Sequence, residues 1–278
     1  MTWTLEETST QRDGIPDDWK RNGTFIDDGT GTKVFVGLAK MGARVDQTDI
    51  LVHIDSMQDA THSHAISATA IKQVSDAFLN SPYTSKAGVR DIRLHVDAGP
   101  HSILNFETGE KWGSLSRARA ITGVANFGIT DASGNYDGTA FDNEKNASSG
   151  FTRSGCAGIF HYCISIHQFS NFPNSGLAWP ASQGSGGNDF LISLAPISST
   201  PSDMNQAGIF MHELGHNLGL GHGGIDNVNN KSKYISVMNY LFTLNGITMN
   251  GVAGVCDYSS IGTSASLLKG CNDWTRYN

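Results

Sequence analysis

His212, Glu213, His216, Gly219 and His222 stand in the order H-E-x-x-H-x-x-G-x-x-H. That spacing has the chemistry of a zinc site with a general base built in. On a helix, residues four apart share one face, so His212 and His216 present two imidazoles to one point. Glu213 is one residue round, within reach of a metal-bound water but not of the metal. Gly219 is placed to end the helix in a left-handed conformation that glycine adopts cheaply. The returning chain then offers His222 as a third ligand. Three protein nitrogens leave one position of a tetrahedral zinc open, which marks a catalytic rather than a closed structural site.

Beyond His222 lies Ser236-Val-Met-Asn-Tyr240, an S-x-M-x-Y fragment. The long zinc motif followed by this fragment resembles the metzincin clan of zinc metallopeptidases. The resemblance implies that Met238 lies in a tight turn forming a floor beneath the histidines. It also implies that Tyr240 stands beside the zinc, as in astacins and serralysins, and swings to hydrogen-bond the oxyanion of the attacked carbonyl. Glu213 would take the proton of the attacking water and pass it to the leaving amine. The residue after the third histidine is Gly223, where related families carry Ser, Asp, Glu or Pro. Pappalysin-like and serralysin- or astacin-like subfamilies therefore both stay open.

The elements that must position these groups follow from periodicity. Ile50–Ile54 and Ile92–Val96 are short apolar runs that predict strands. Between them, His64–Asn80 has apolar residues at Ile66, Ala70, Ile71, Val74, Ala77 and Phe78, a helical spacing. Strand, helix, strand implies a parallel pair with a crossover. A short helix is expected around Phe141–Ala147, and further strands at Gly158–Ile166 and Asp189–Leu194. Thr200-Pro201, with Asp203 after them, predicts the start of the zinc helix, which should end near Leu218. The expected fold is α/β (α+β): a metzincin-like mixed, twisted sheet, mostly parallel with one antiparallel edge strand. The zinc helix lies beneath it, and a smaller C-terminal subdomain lies below the cleft. By position the segment with Leu177, Ala178 and Trp179 resembles the clan's edge strand, which would bind an extended peptide by strand addition. The domain reading is a polar, turn-rich extension over 1–45 and a catalytic domain over 46–278, divided into upper (46–222) and lower (223–278) subdomains.

Two oxygen-rich turns, Asp13 with Asp17 and Asp18, then Asp27 with Asp28, are candidate calcium loops beside the alternative of solvated turns. Net charge is -7, from 26 acidic and 19 basic residues, with no basic cluster. Nucleic acid is therefore not an expected partner. No apolar stretch reaches the length of a membrane span. A protein or peptide substrate, zinc as cofactor and a monomeric enzyme are the expectations. The four cysteines read as disulfides of a secreted protein, Cys256 with Cys271 and Cys156 with Cys163. The second pair needs a bend, since a straight strand holds those residues about 23 Å apart. Met1–Leu5 shows no leader, so a mature form is expected.

His161 and His167 are weighed as a second, structural zinc, against ordinary hydrogen-bonded packing. Residues 241–258 are expected to wall the pocket on the primed side with apolar side chains. Asp257 there is either an exposed turn residue or a buried selector of basic side chains. The leading function is a secreted zinc endopeptidase. A zinc-bearing adhesion module without turnover and a glycoprotein-cleaving enzyme, with Trp112 and Trp179 stacking on sugars, are the rivals. Retention of Glu213 favours an active enzyme.

Overall fold

A computed structural model describes residues 9–85, 87–90, 92–130, 135–169, 174–179, 187–198, 200–224, 226–259 and 273–276. The chain opens with a short helix α1 (Asp17–Asn22) and a hairpin of β1 (Thr24–Asp27) and β2 (Lys33–Val36). Then come β3 (Thr48–Gln58), α2 (Ala68–Leu79) and β4 (Ile92–Asp97). Short strands follow: β5 (Ile103–Asn105), β6 (Glu110–Lys111), β7 (Ala120–Thr122), β8 (Ile129–Thr130) and β9 (Tyr136–Asp137). Helix α3 (Thr139–Lys145) leads to β10 (His161–Ile166), β11 (Gly176–Trp179), β12 (Asp189–Ser193) and α4 (Asp203–Asn217). A hairpin of β13 (Ile247–Met249) and β14 (Val252–Val255) follows.

The central sheet has the order β11-β12-β10-β3-β4, with β7 continuing beside the far end of β3. Its strands are parallel except β11, which runs antiparallel to β12 at the edge. This is the expected mixed fold. β3 is buried along almost its whole length, as a central parallel strand covered on both faces must be. It runs past the apolar run Ile50–Ile54 because Asp55, Ser56 and Met57 are buried with it. The Asp55 carboxylate is buried with partners: His53 Nε2 lies 2.9 Å from its Oδ1, and the Tyr162 hydroxyl donates to its Oδ2 at 2.9 Å.

Two apolar clusters sandwich the sheet. One holds Ala70, Ile71, Val74 and Phe78 of α2 against Ile209, Phe210 and Leu214 of α4 and Met238. The other holds Ile15, Val36, Leu38 and Met41 from the N-terminal stretch against Leu51, Tyr162 and Leu191. The helical spacing of α2 points to the first cluster, and Ser67 caps the helix by accepting from Ala70 N. No helix among the described residues is long and apolar enough to cross a membrane.

One expectation is overturned here. Cys156 and Cys163 are both free and buried. Cys163 faces the cluster with α2 and α4, whereas Cys156 lies in the other cluster. The sheet stands between them, so no bend brings them together. Cys256 is free as well, its thiol 3.4 Å from Met211 Sδ; Cys271 lies outside the described residues. The cysteines thus supply no argument for an oxidising compartment.

The candidate calcium loops find no support either, and the solvated-turn alternative describes most of them. The Asp13 carboxylate is taken by the buried ammonium of Lys20, which also reaches Asp49 and the carbonyls of Arg44 and Gln47. Asp17 accepts from Thr10, and Asp18 from Asn22. Asp27 accepts from the backbone of Gly29 and Gly31, and Asp28 from Thr30. A lysine and backbone N–H groups supply the positive partners a cation would have supplied. Among the described residues these aspartates do not converge on a common point.

Candidate active site

Helix α4 carries the first two histidines. It begins two residues later than the Thr200 cap predicted from sequence. Ser202 is the cap, accepting from Asn205 N, while the Asn205 side chain accepts from Ser202 N. That reciprocal box outcompetes a single Thr200 contact. At the far end Gly219 has φ +88°. Gly219 N donates to His216 O and Leu220 N to Gly215 O, the two bonds of a Schellman turn. The turn redirects the chain so that His222 joins the other two. One ring nitrogen of each histidine lies within 4.8 Å of the others.

The far nitrogens are fixed by backbone. His212 Nδ1 donates to Val237 O at 2.8 Å, and His216 Nδ1 to Leu220 O at 2.8 Å. Carbonyls only accept, so each Nδ1 carries the proton and each Nε2 offers a lone pair. Those two Nε2 atoms stand 3.2 Å apart. Without a proton between them they repel, unless a cation sits at their focus. Two nitrogens of a tetrahedral zinc at its usual bond length stand about 3.3–3.4 Å apart. Burial lowers the pKa of all three rings, that of His216 to about 4, which keeps them neutral as ligation requires. The donor set fits zinc.

Beneath the helix lies the turn with Met238, fully buried. A Cβ on Gly215 would fall 2.3 Å from Met238 Sδ, and one on Gly208 would fall 1.8 Å from Thr243 O. Both glycines of the zinc helix thus admit the lower segment at backbone distance. Asp273 holds the turn from below, accepting from the Tyr234 and Ser236 hydroxyls and from Ser259 N. The sequence carried no signal for Asp273, which is distant in the chain and has no motif. Asn217, next to His216, is a second unanticipated tie. Its amide donates to Asp189 O at 3.0 Å and Trp179 O at 3.3 Å, binding the helix end to β12 and β11.

Glu213 is buried, and that burial pushes its carboxyl up to about 8. A Cβ on Gly176 would lie 2.2 Å from Glu213 Oε1. The first residue of the edge strand therefore has to be small for the carboxyl group to stand where it does. Tyr240 is exposed, its ring centre 4.6 Å from that of His222 and 5.4 Å from that of His212. Burial of its hydroxyl and the nearby Glu213 raise its pKa. A cavity of about 190 Å³ opens beside these groups, lined by Asn174, Ser175, Gly176, His212, Glu213, Tyr240, Thr243 and Leu244.

Leu177, Ala178 and Trp179 form the edge strand β11 but do not line this cavity. Leu177 and Trp179 pack on the second core cluster and Ala178 on the first. The Trp179 ring is half-buried, 4.9 Å from Phe141, and Trp112 is buried, so Trp112 offers no free face for sugar stacking. Thr243 and Leu244 fall within the 241–258 stretch expected to wall the pocket, and Ser175 directly precedes the edge strand; Asn174 was missed because a lone polar loop residue carries no pattern. Asp257 is half-buried beside Trp274 and Asp273, with its carboxyl raised to about 7 by burial. It is therefore not an exposed turn residue, and it does not line this cavity. His161 is half-buried, its Nδ1 3.2 Å from Asn217 Oδ1, and shares no cluster of ligating groups with His167.

Fold and site together define a metzincin-type zinc metallopeptidase, with three histidines over a buried methionine turn beside a mixed sheet. The model of metallopeptidase family M12B, reprolysin-like, matches residues 79–223, just over half of the chain. The chain belongs to that family. No curated protein matches the chain significantly. One solved structure, described as "Structure of a chaperone-substrate complex", aligns at 12% identity with a TM-score of 0.43, covering 84% of this chain and 37% of that one. The chain thus spans little more than a third of that structure's length.

Proposed function

We propose that this chain is a zinc endopeptidase in which Glu213 is the general base. The observation that carries the reading is the Glu213 carboxyl group, buried beside His212 at the wall of the cavity, next to three imidazoles whose nitrogens converge. A zinc ion on those nitrogens supplies Lewis acidity, making water nucleophilic near neutral pH and polarising a carbonyl. The protein's own groups do the rest. Glu213 takes the proton of the attacking water and returns it to the leaving nitrogen. A cation close by favours its ionised form against the effect of burial. Tyr240 at the rim donates to the oxygen on which charge develops. β11, the last strand of the sheet, presents an edge to which an extended polypeptide adds by backbone hydrogen bonds, which suits cleavage within a chain rather than at its ends. Thr243 and Leu244 wall the cavity and no charged side chain besides Glu213 lines it, so an uncharged, apolar residue is expected just after the cut.

Digestion of a proteome-derived peptide library, with and without Glu213→Ala, tests this. Internal cuts with an apolar residue on the primed side, absent in the variant although zinc is retained, are expected. Full turnover by the variant refutes the assignment. A zinc-loaded wild-type protein that cuts nothing favours the adhesion module.

A further inference from the structure

Among the described residues one other group of three metal-ligating side chains exists. His62, His64 and His167 bring one ring nitrogen each to within 4.8 Å of the others. We propose that these three histidines bind a second divalent transition-metal ion, zinc by preference, which clamps the hairpin after β3 to the end of β10.

The spacing is that of ligands. His64 Nε2 and His167 Nδ1 are 3.1 Å apart, against 3.2 Å for His212 and His216 and about 3.3–3.4 Å for two nitrogens on tetrahedral zinc. The three rings meet at steep angles of 89°, 75° and 64° rather than stacking. A lone hydrogen bond between His64 and His167 accounts for one contact, but not for the third ring or its carboxylate.

That carboxylate is Asp59. Its Oδ1 is committed to the turn, accepting from Thr61 N, Thr61 Oγ1 and His62 N. Its Oδ2 lies 3.1 Å from His62 Nδ1, which leaves Nε2 for a metal. A carboxylate on the remote nitrogen is how ligating imidazoles are held in one tautomer. The backbone is held as firmly. His64 N donates to Met57 O, and the Ser165 hydroxyl to His64 O. His167 O accepts from Ala195 N and the Ser193 hydroxyl. The three ligands therefore stand at the C-terminal ends of two neighbouring parallel strands, β3 and β10. His62 is exposed and the other two half-buried, so a fourth position faces solvent. An all-imidazole set suits zinc, copper or nickel and not calcium or magnesium.

The clamp bears on the zinc helix. Three residues past His64, Ser67 accepts Ala70 N, and its N–H and hydroxyl donate to Gln206 and Asp203 in the first turns of α4. Fixing the hairpin fixes the point where the helix starts.

Metal content of the full chain tests the assignment, after equilibration with micromolar zinc and gel filtration. Two zinc ions per chain are expected for the wild type. One is expected for His212→Ala/His216→Ala, and one for His64→Gln/His167→Gln. In the His212→Ala/His216→Ala background, cobalt should give a visible tetrahedral absorption that disappears when His64→Gln is added, and zinc should raise Tm. Asp59→Asn keeps the turn acceptor but removes the charge, and should weaken the second ion by about 10–100-fold. If His64→Gln/His167→Gln fails to fold, the exposed His62→Gln gives the same reading. One zinc in the wild type with none in His212→Ala/His216→Ala overturns the second site while leaving the peptidase reading intact. Two zinc ions persisting in both His64→Gln/His167→Gln and His62→Gln overturn it as well.

Discussion

Two groups of three histidines can be set side by side in this molecule. In the first, His212, His216 and His222 fall within one helix and the turn that ends it, and their outer nitrogens are fixed by main-chain carbonyls. In the second, His62 and His64 lie a hundred residues from His167, and an exposed aspartate orients one ring. The first has one buried and two half-buried rings, beside a buried carboxyl group and a cavity. The second opens to solvent with no acidic group placed as a base. Both have the nitrogen spacing for zinc. They differ in what surrounds the open position, and that difference separates a centre equipped for hydrolysis from one equipped only to hold.

Removing the base is the hardest test of this contrast. Glu213→Gln should keep zinc at the first centre and lose about 10²–10⁴-fold in kcat, read by metal analysis beside peptide cleavage. Retained turnover would erase the chemical distinction between the two centres. Tyr240→Phe comes next, with kcat down about 10²–10³-fold if its hydroxyl is a main oxyanion donor, and with KM little changed. Unchanged kcat would show that Tyr240 only packs over His222.

The supports of the two centres should also differ. Gly215→Ala drives a methyl into Met238 and should cost about 1–3 kcal/mol in denaturant unfolding. Ala60→Ser, in the exposed turn between Asp59 and His62, should stay within about 0.5 kcal/mol. Equal losses would mean that the second centre stands on as tight a floor as the first.

The smallest effect concerns a histidine in neither centre. Burial pulls the His53 pKa down, but its hydrogen bond to Asp55, with Cys156 close by, outweighs it and raises it to about 10. A raised pKa in the folded state means stability present below the ordinary histidine value of about 6.5 and lost as pH climbs to about 10. Unfolding midpoints should fall over that window, and less so in Asp55→Asn. A flat profile would show that His53 is neutral in the folded protein.

Much of the first centre was legible because its geometry is local. Four-residue spacing on a helix puts His212 and His216 together whatever surrounds them, and a glycine needing φ +88° marks where the helix must stop. The strands and α2 were legible for the same reason, since periodicity records which face is buried. Sequence misjudged the features set by distant partners. It offered Asp13 to calcium, whereas Lys20 occupies that carboxylate. It paired Cys156 with Cys163, whereas an intervening sheet parts them. It gave no sign of the partners of His167, which the parallel β3 and β10 carry to His62 and His64. Spacing along the chain determined the zinc motif and the class of fold. Only the packed structure decided which glycines must be bare, that Asp273 holds the methionine turn and which histidines meet, because those contacts join residues whose separation in sequence leaves no periodic trace.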